Sequence, residues 1–150
     1  MYFVDREAIE DKLLYLEKQT NLLASKEEWT GSVIEKLALE RIFQTIIDAI
    51  LDIGNAMIDG FIMRDPGSYE DIIDILLDEK VIDAKMEPDL KALLPYRKEL
   101  VQAYTVIQHK QLQDAVYENL ITIQRFPSCV RKYIETELGV VTAFKPYDKK

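Results

Sequence analysis

Apolar residues recur along this chain at steps of three and four, the spacing of one helix face. Ile9, Leu13, Leu16 and Leu23 mark the first face, which ends in the stretch SKEEWTGS. A second, longer stretch starts near Ser32 with Leu39, Ile42, Phe43, Ile46, Ile50, Ile53, Met57 and Phe61. It must stop by RDPGS, where Pro66 and Gly67 forbid continuation. Ser68, with Asp71 three residues on, reads as the cap of a short helix carrying Tyr69, Ile72, Ile73, Leu76 and Leu77. The fourth helix starts by Glu87-Pro88-Asp89, where proline is tolerated, and carries Leu90, Leu93, Leu94, Leu100, Val101 and Tyr104. Pro95 is predicted to bend or interrupt it. The last helix runs from about Lys110 through Leu112, Val116, Leu120, Ile123, Val130, Ile134 and Leu138. It is predicted to bend near Pro127 and stop at Gly139, leaving residues 140–150 as an extended tail. No repeat, low-complexity stretch or linker interrupts the pattern. It predicts an all-α, up-and-down bundle of about five helices, in a single domain over residues 1–150.

Composition narrows the function classes. The chain has 150 residues, 48% of them hydrophobic, enough for a sizeable core. Against 19 basic residues stand 27 acidic ones, a formal charge of −8. Such a surface repels nucleic acid over most of its area, so any RNA site must be a local cleft. The one cysteine, Cys129, forms no internal disulfide, which fits a reducing compartment. Asp48, Asp52 and Asp59 interrupt the longest apolar stretch, so no membrane span is expected. The N-terminus MYFVDREAIEDK lacks a signal-peptide core, and a cytoplasmic location is the expectation.

Motif chemistry is sparse. Glu40, Gln44, Asp48, Asp52, Asn55 and Asp59 form a polar stripe along the second helix. A two-metal carboxylate site in a bundle needs Glu-x-x-His pairs from two helices. The only histidine is His109, with no acid at the matching offset, so no metal or cofactor is expected. The stripe reads as a solvated or interfacial face, on which Asp48 and Asp52 can border a neighbouring site. His109 reads as a surface or capping residue, and Cys129 as a buried, inert thiol. No Gly-rich phosphate loop, Cys-x-x-Cys pair or nucleophile elbow is present.

One feature of the fourth helix needs an explanation. Arg97 and Tyr104 are seven residues apart, close to two turns, so both fall on one face about 10 Å apart. Leu93 and Leu100 share or border that face, and an arginine there must find an anion or reach solvent through a cleft. Two readings follow. Arg97 pairs with a carboxylate of the second-helix stripe while Tyr104 is a core aromatic, or Arg97 binds a phosphate.

The runs LALERIFQTIIDAILDIGNAMI, DPGSYEDIIDILLDEKVI and LLPYRKELVQAY resemble the HepT-like branch of the HEPN superfamily, also called the DUF86 family, over about residues 5–135. The resemblance implies an all-α bundle that dimerises. Active members are metal-independent ribonucleases, toxins of type VII-like pairs with a minimal nucleotidyltransferase antitoxin. Their signature is Arg, four residues, His, one residue, Tyr, typically with Asn after the Arg. On this chain the arginine is Arg97, the histidine position is Gln102, the tyrosine is Tyr104, and Lys98 stands where Asn is common. The family's histidine moves a proton around the attacking 2′-hydroxyl while the arginine stabilises phosphate. Glutamine hydrogen-bonds but cannot exchange a proton near neutral pH, and losing a general acid or base costs about 10²–10⁴ in rate. Positions 97 and 102 also differ by about 140° around a helix, so they converge only through a bend or a second subunit.

The resemblance therefore implies a HepT-like homodimer, weak or inactive as an RNase, with RNA confined to a cleft around Arg97, Lys98, Asp48 and Asp52. The alternatives are a non-catalytic dimeric interaction or nucleotide-binding module, and a plain helical dimer with a structural Arg97. In relatives with the full motif a partner nucleotidyltransferase attaches AMP to the motif tyrosine, which makes Tyr104 a candidate modification site.

Overall fold

A computed structural model describes residues 2–144 of the chain, with side chains through residue 139. Among the described residues six helices follow one another: α1 (Arg6–Ala24), α2 (Val33–Gly60), α3 (Tyr69–Asp78), α4 (Met86–Gln102), α5 (His109–Glu118) and α6 (Leu120–Phe144). Among the described residues there is no strand. The helix starts follow local chemistry. Asp5 Oδ1 accepts from the Ala8 N–H, Ser32 Oγ from Glu35 and Ser68 Oγ from Asp71, each satisfying a donor that the first turn leaves unpaired. Asp83 Oδ1 does the same for α4 by accepting from both Lys85 and Met86.

The second helix is the axis of the molecule, touching α1, α3, α4 and α5. Its Leu39, Phe43, Ile46, Ile53 and Met57 are completely buried in one apolar cluster with Leu16, Leu23, Ile73, Leu76 and Val116 from the helices around it. Full burial of each such side chain contributes about 1.5–3 kcal/mol, so this apolar cluster is what holds the helices together. Gly54 brings α3 close. A Cβ there would lie 2.6 Å from Ile72 Cγ2, which fixes where the first turn of α3 is carried. Across the other side, Arg131 of α6 clamps α1 with paired bonds to Glu10 (3.1 and 2.7 Å) and Glu17 (2.7 and 2.9 Å). Among the described residues no helix is long and apolar enough to cross a membrane.

The predicted last helix is in fact two. The buried Asn119 donates from Nδ2 to the Ala115 carbonyl, and its backbone leaves the helical region at φ −107°, ψ 8°. An asparagine side chain competes in this way with the backbone ladder, and α6 restarts one residue later. Of the two outcomes expected at Pro95, a bend or an interruption, the interruption is excluded, since α4 is continuous from Met86 to Gln102. Pro127 likewise lies inside α6. Gly139 (φ 82°, ψ 168°) breaks the helix where the break was expected, but helical backbone resumes beyond it, so residues 140–144 are not extended. Residues 145–150 of the expected tail lie outside the described residues.

Candidate functional site

Arg97 projects from α4 toward α2, where its Nε donates to Asp48 Oδ1 at 2.9 Å. The hydrogen bond it donates to Asp48, opposed by burial and aided by the charges of Asp48 and Asp52, holds the guanidinium above its already high ordinary pKa. Its Cζ also sits 4.9 Å from the centre of the Tyr69 ring, on the first turn of α3. The predicted pairing of Arg97 with a stripe carboxylate is therefore present. Its companion expectation fails: Tyr104 is not a core aromatic but 65% exposed. The reason is that α4 ends at Gln102. Ala103 turns out of the helix at φ −106°, ψ 38° and its N–H closes on the Glu99 carbonyl, so two-turn spacing no longer carries from Arg97 to Tyr104.

The exposed face of α4 forms one wall of an open groove of about 380 Å³, and the start of α3 forms the other. Around α4, on ideal geometry, Arg97 and Gln102 stand about 140° apart, with Lys98 between them. All three border this groove, together with Leu94, Pro95 and Tyr69. Lys98 and Gln102 are exposed, while Arg97 is half-buried. Asp48 reaches the groove only through Arg97, and Asp52 stays exposed on α2. Tyr104 does not line it. A second hollow of about 460 Å³ adjoins the first and shares Ser68 and Tyr69, with Asn55, Pro66, Gly67 and Ile72 completing its lining.

Tyr69 is the residue that sequence reasoning misplaced. Its spacing to Ile72 and Ile73 groups it with the buried face of α3, yet it is 48% exposed. As the first residue of the helix it projects past the α2 contact toward Arg97. The cap at Ser68 was the available signal, because first-turn residues end where packing begins. His109, the first residue of α5, is paired through Nε2 with Glu40 Oε2 at 2.7 Å and does not border the groove. Cys129 is half-buried, with Sγ 3.7 Å from Met86 Sδ, and burial pushes its thiol up. It lies in a separate hollow between the α3–α4 turn and α6, beside Tyr133, whose phenol burial pushes up to about 12. Among the described residues no three His, Cys, Asp or Glu side chains are grouped so as to hold a metal ion.

Comparison with known proteins adds to this geometry. A family model described as ribonuclease HepT-like matches residues 9–130. The protein named "Putative RNase YutE" from Bacillus subtilis (strain 168) is 52% identical over 145 residues, covering 97% of this chain and 100% of that protein. A solved structure of YutE from Bacillus subtilis, described as a cytosolic protein of unknown function, matches with a TM-score of 0.91 at 51% identity. It covers 96% of this chain and 100% of the other. A solved toxin-antitoxin structure with AMP-PNP shares the fold, with a TM-score of 0.70 at 14% identity over 83% of this chain and 96% of that one.

Proposed function

The chain belongs to the ribonuclease HepT-like family, and from that premise we propose that it keeps the ribonuclease scaffold while cleaving RNA weakly or not at all. The observation that carries the reading is the groove on α4, where Arg97, Lys98 and Gln102 face one space and the third of them is an amide. Cleavage without a metal needs the 2′-hydroxyl to lose a proton as its oxygen attacks phosphorus, while the 5′-oxygen leaves and takes a proton up. Arg97 is suited to the charge that builds on the phosphoryl oxygens. Gln102 cannot move either proton. His109, the one histidine, is engaged by Glu40 and outside the groove.

The working unit is a homodimer, with α4 bordering the cleft between copies. Val101 (44% exposed) and Val106 (66%) lie to either side of Tyr104 in sequence, apolar surface of the kind that a second copy would cover. The protein acts in the cytoplasm on RNA that enters this local cleft. Its partner is a minimal nucleotidyltransferase antitoxin, and Tyr104, with an accessible hydroxyl, is the residue that partner would modify.

The deciding experiment incubates purified wild type, Gln102→His and Gln102→His/Arg97→Ala with total RNA. Wild type should cut slowly or not at all, Gln102→His should gain at least about 100-fold, and the double variant should lose that gain. Wild-type cleavage as fast as that of Gln102→His would refute the reading. A non-catalytic nucleotide-binding or interaction module is favoured by a different observation, the offset of Arg97's charge by Asp48. RNA binding without cleavage in Gln102→His would select it.

A further inference from the structure

Tyr69 stands between two hollows of unlike chemistry. On one side is the α4 groove, with the cations Arg97 and Lys98 and the single bordering acid Glu70. On the other is the hollow formed by Asn55, Pro66, Gly67, Ser68 and Ile72, in which no lining residue is charged. Arg97 packs over the ring and borders only the first of these. Their volumes, about 380 and 460 Å³, each fall in the range of about 300–1,000 Å³ found for small-molecule sites. The corner that presents the ring is braced rather than loose. Asp71 Oδ2 accepts from the Gly67 N–H at 2.8 Å and from Arg64 Nη1 at 2.9 Å, while Ser68 caps the same turn.

We infer that these two hollows form one nucleotide-binding site, with the base stacked on Tyr69 in the neutral hollow and the phosphate in the groove beside Lys98 and Arg97. The inference deepens the RNA-facing reading of that groove and rests on it. The division of charge sets the orientation. A phosphate finds cations only in the α4 groove, whereas an uncharged base gives up no ionic contact in a hollow with no charged lining residue. A half-exposed ring offers any base a π-face, and Asn55 has both a donor and an acceptor for a base edge. At the other end Lys98 has no hydrogen-bond or ion-pair partner among the described residues, and the bond from Arg97 to Asp48 uses Nε, leaving its Nη atoms without one. Because Asp48 and Glu70 offset much of the local positive charge, stacking carries most of the affinity. The bracing at Asp71 means little ordering is lost when a ligand arrives. Free nucleotides and single-stranded RNA share this chemistry.

The test measures binding, not cleavage. Fluorescein-labelled oligouridine is titrated by anisotropy and AMP by calorimetry, against wild type, Tyr69→Phe, Tyr69→Leu and Tyr69→Ala. Melting temperatures check that each variant is folded, which the exposure of Tyr69 favours. Tyr69→Phe should bind as wild type, whereas Leu and Ala should lose about 5- to 150-fold, the range that one stacked base represents. Ribose 5-phosphate, which has no base, should bind all four proteins equally weakly. Tyr69-dependent binding of oligouridine with no effect on AMP identifies RNA as the source, and the reverse identifies the free nucleotide. Equal affinity of Tyr69→Ala and wild type for both probes overturns the inference, even where Gln102→His cleaves RNA. Tyr69-dependent binding with a silent Gln102→His leaves the inference standing and removes the ribonuclease reading instead.

Discussion

At Arg97, the 2.9 Å bond to Asp48 keeps a cation on a half-buried face where an unpaired one would be costly, and it also offsets the charge available to a phosphate. Replacing the acid separates those two effects. Asp48→Asn should bind oligouridine several-fold more tightly by anisotropy. It should also lose less than about 1 kcal/mol in thermal unfolding, because both side chains of the pair are about a third exposed. At Tyr104, the exposed hydroxyl predicts an AMP-sized increment in intact mass when the protein is co-expressed with an active nucleotidyltransferase encoded beside it. The increment should vanish in Tyr104→Phe, and its absence from wild type would leave Tyr104 unmodified surface. The glutamine at position 102 was legible from residue order alone. The exposure of Tyr104 was not, because it depends on where α4 ends, and the turn at Ala103 carries no Gly or Pro to announce it.

Between elements, two contacts carry predictions. The Arg131 clamp joins α6 to α1, and its hydrogen bond first, then its charge, hold the Glu17 carboxyl below the ordinary range despite opposing burial. A depressed carboxyl stabilises the fold above its unfolded pKa, and that contribution is lost as pH falls through the folded value. Thermal unfolding of wild type should therefore weaken below about pH 4.5, and Arg131→Met should show a smaller acid-dependent loss from a lower starting stability. Equal pH profiles would mean that the clamp is not coupled to titration. The second contact is Gly54 against Ile72. Gly54→Ala must push α3 outward, and a loss of about 1–3 kcal/mol is expected by urea unfolding. It should weaken oligouridine binding as well, since α3 carries Tyr69. Helical spacing, with the cap at Ser68, placed these elements correctly, because capping and periodicity act within a turn or two. The same reasoning merged α5 with α6, since Asn119 breaks the helix through its own side chain without interrupting the apolar period.

For the molecule as a whole, sedimentation equilibrium should give a species of twice the 17.4 kDa chain mass, and Val106→Asp should shift it toward monomer by placing a charge in the covered face. A monomer at all concentrations would confine the groove to one chain. The amino-acid sequence by itself determined the all-helical class, the buried faces, the acidic surface and the amide at position 102, all of which are set by residue identity and short-range order. Only the tertiary structure decided that Arg97 meets Asp48, 49 residues away, and that Tyr69 leaves its apolar face to stand beside that pair. Helical periodicity assigns a residue to a side of its own helix, but which foreign side chain lies opposite depends on how segments far apart in the chain are packed. Here that packing is fixed by Gly54 drawing α3 against α2 and by the core that α2 shares with α4.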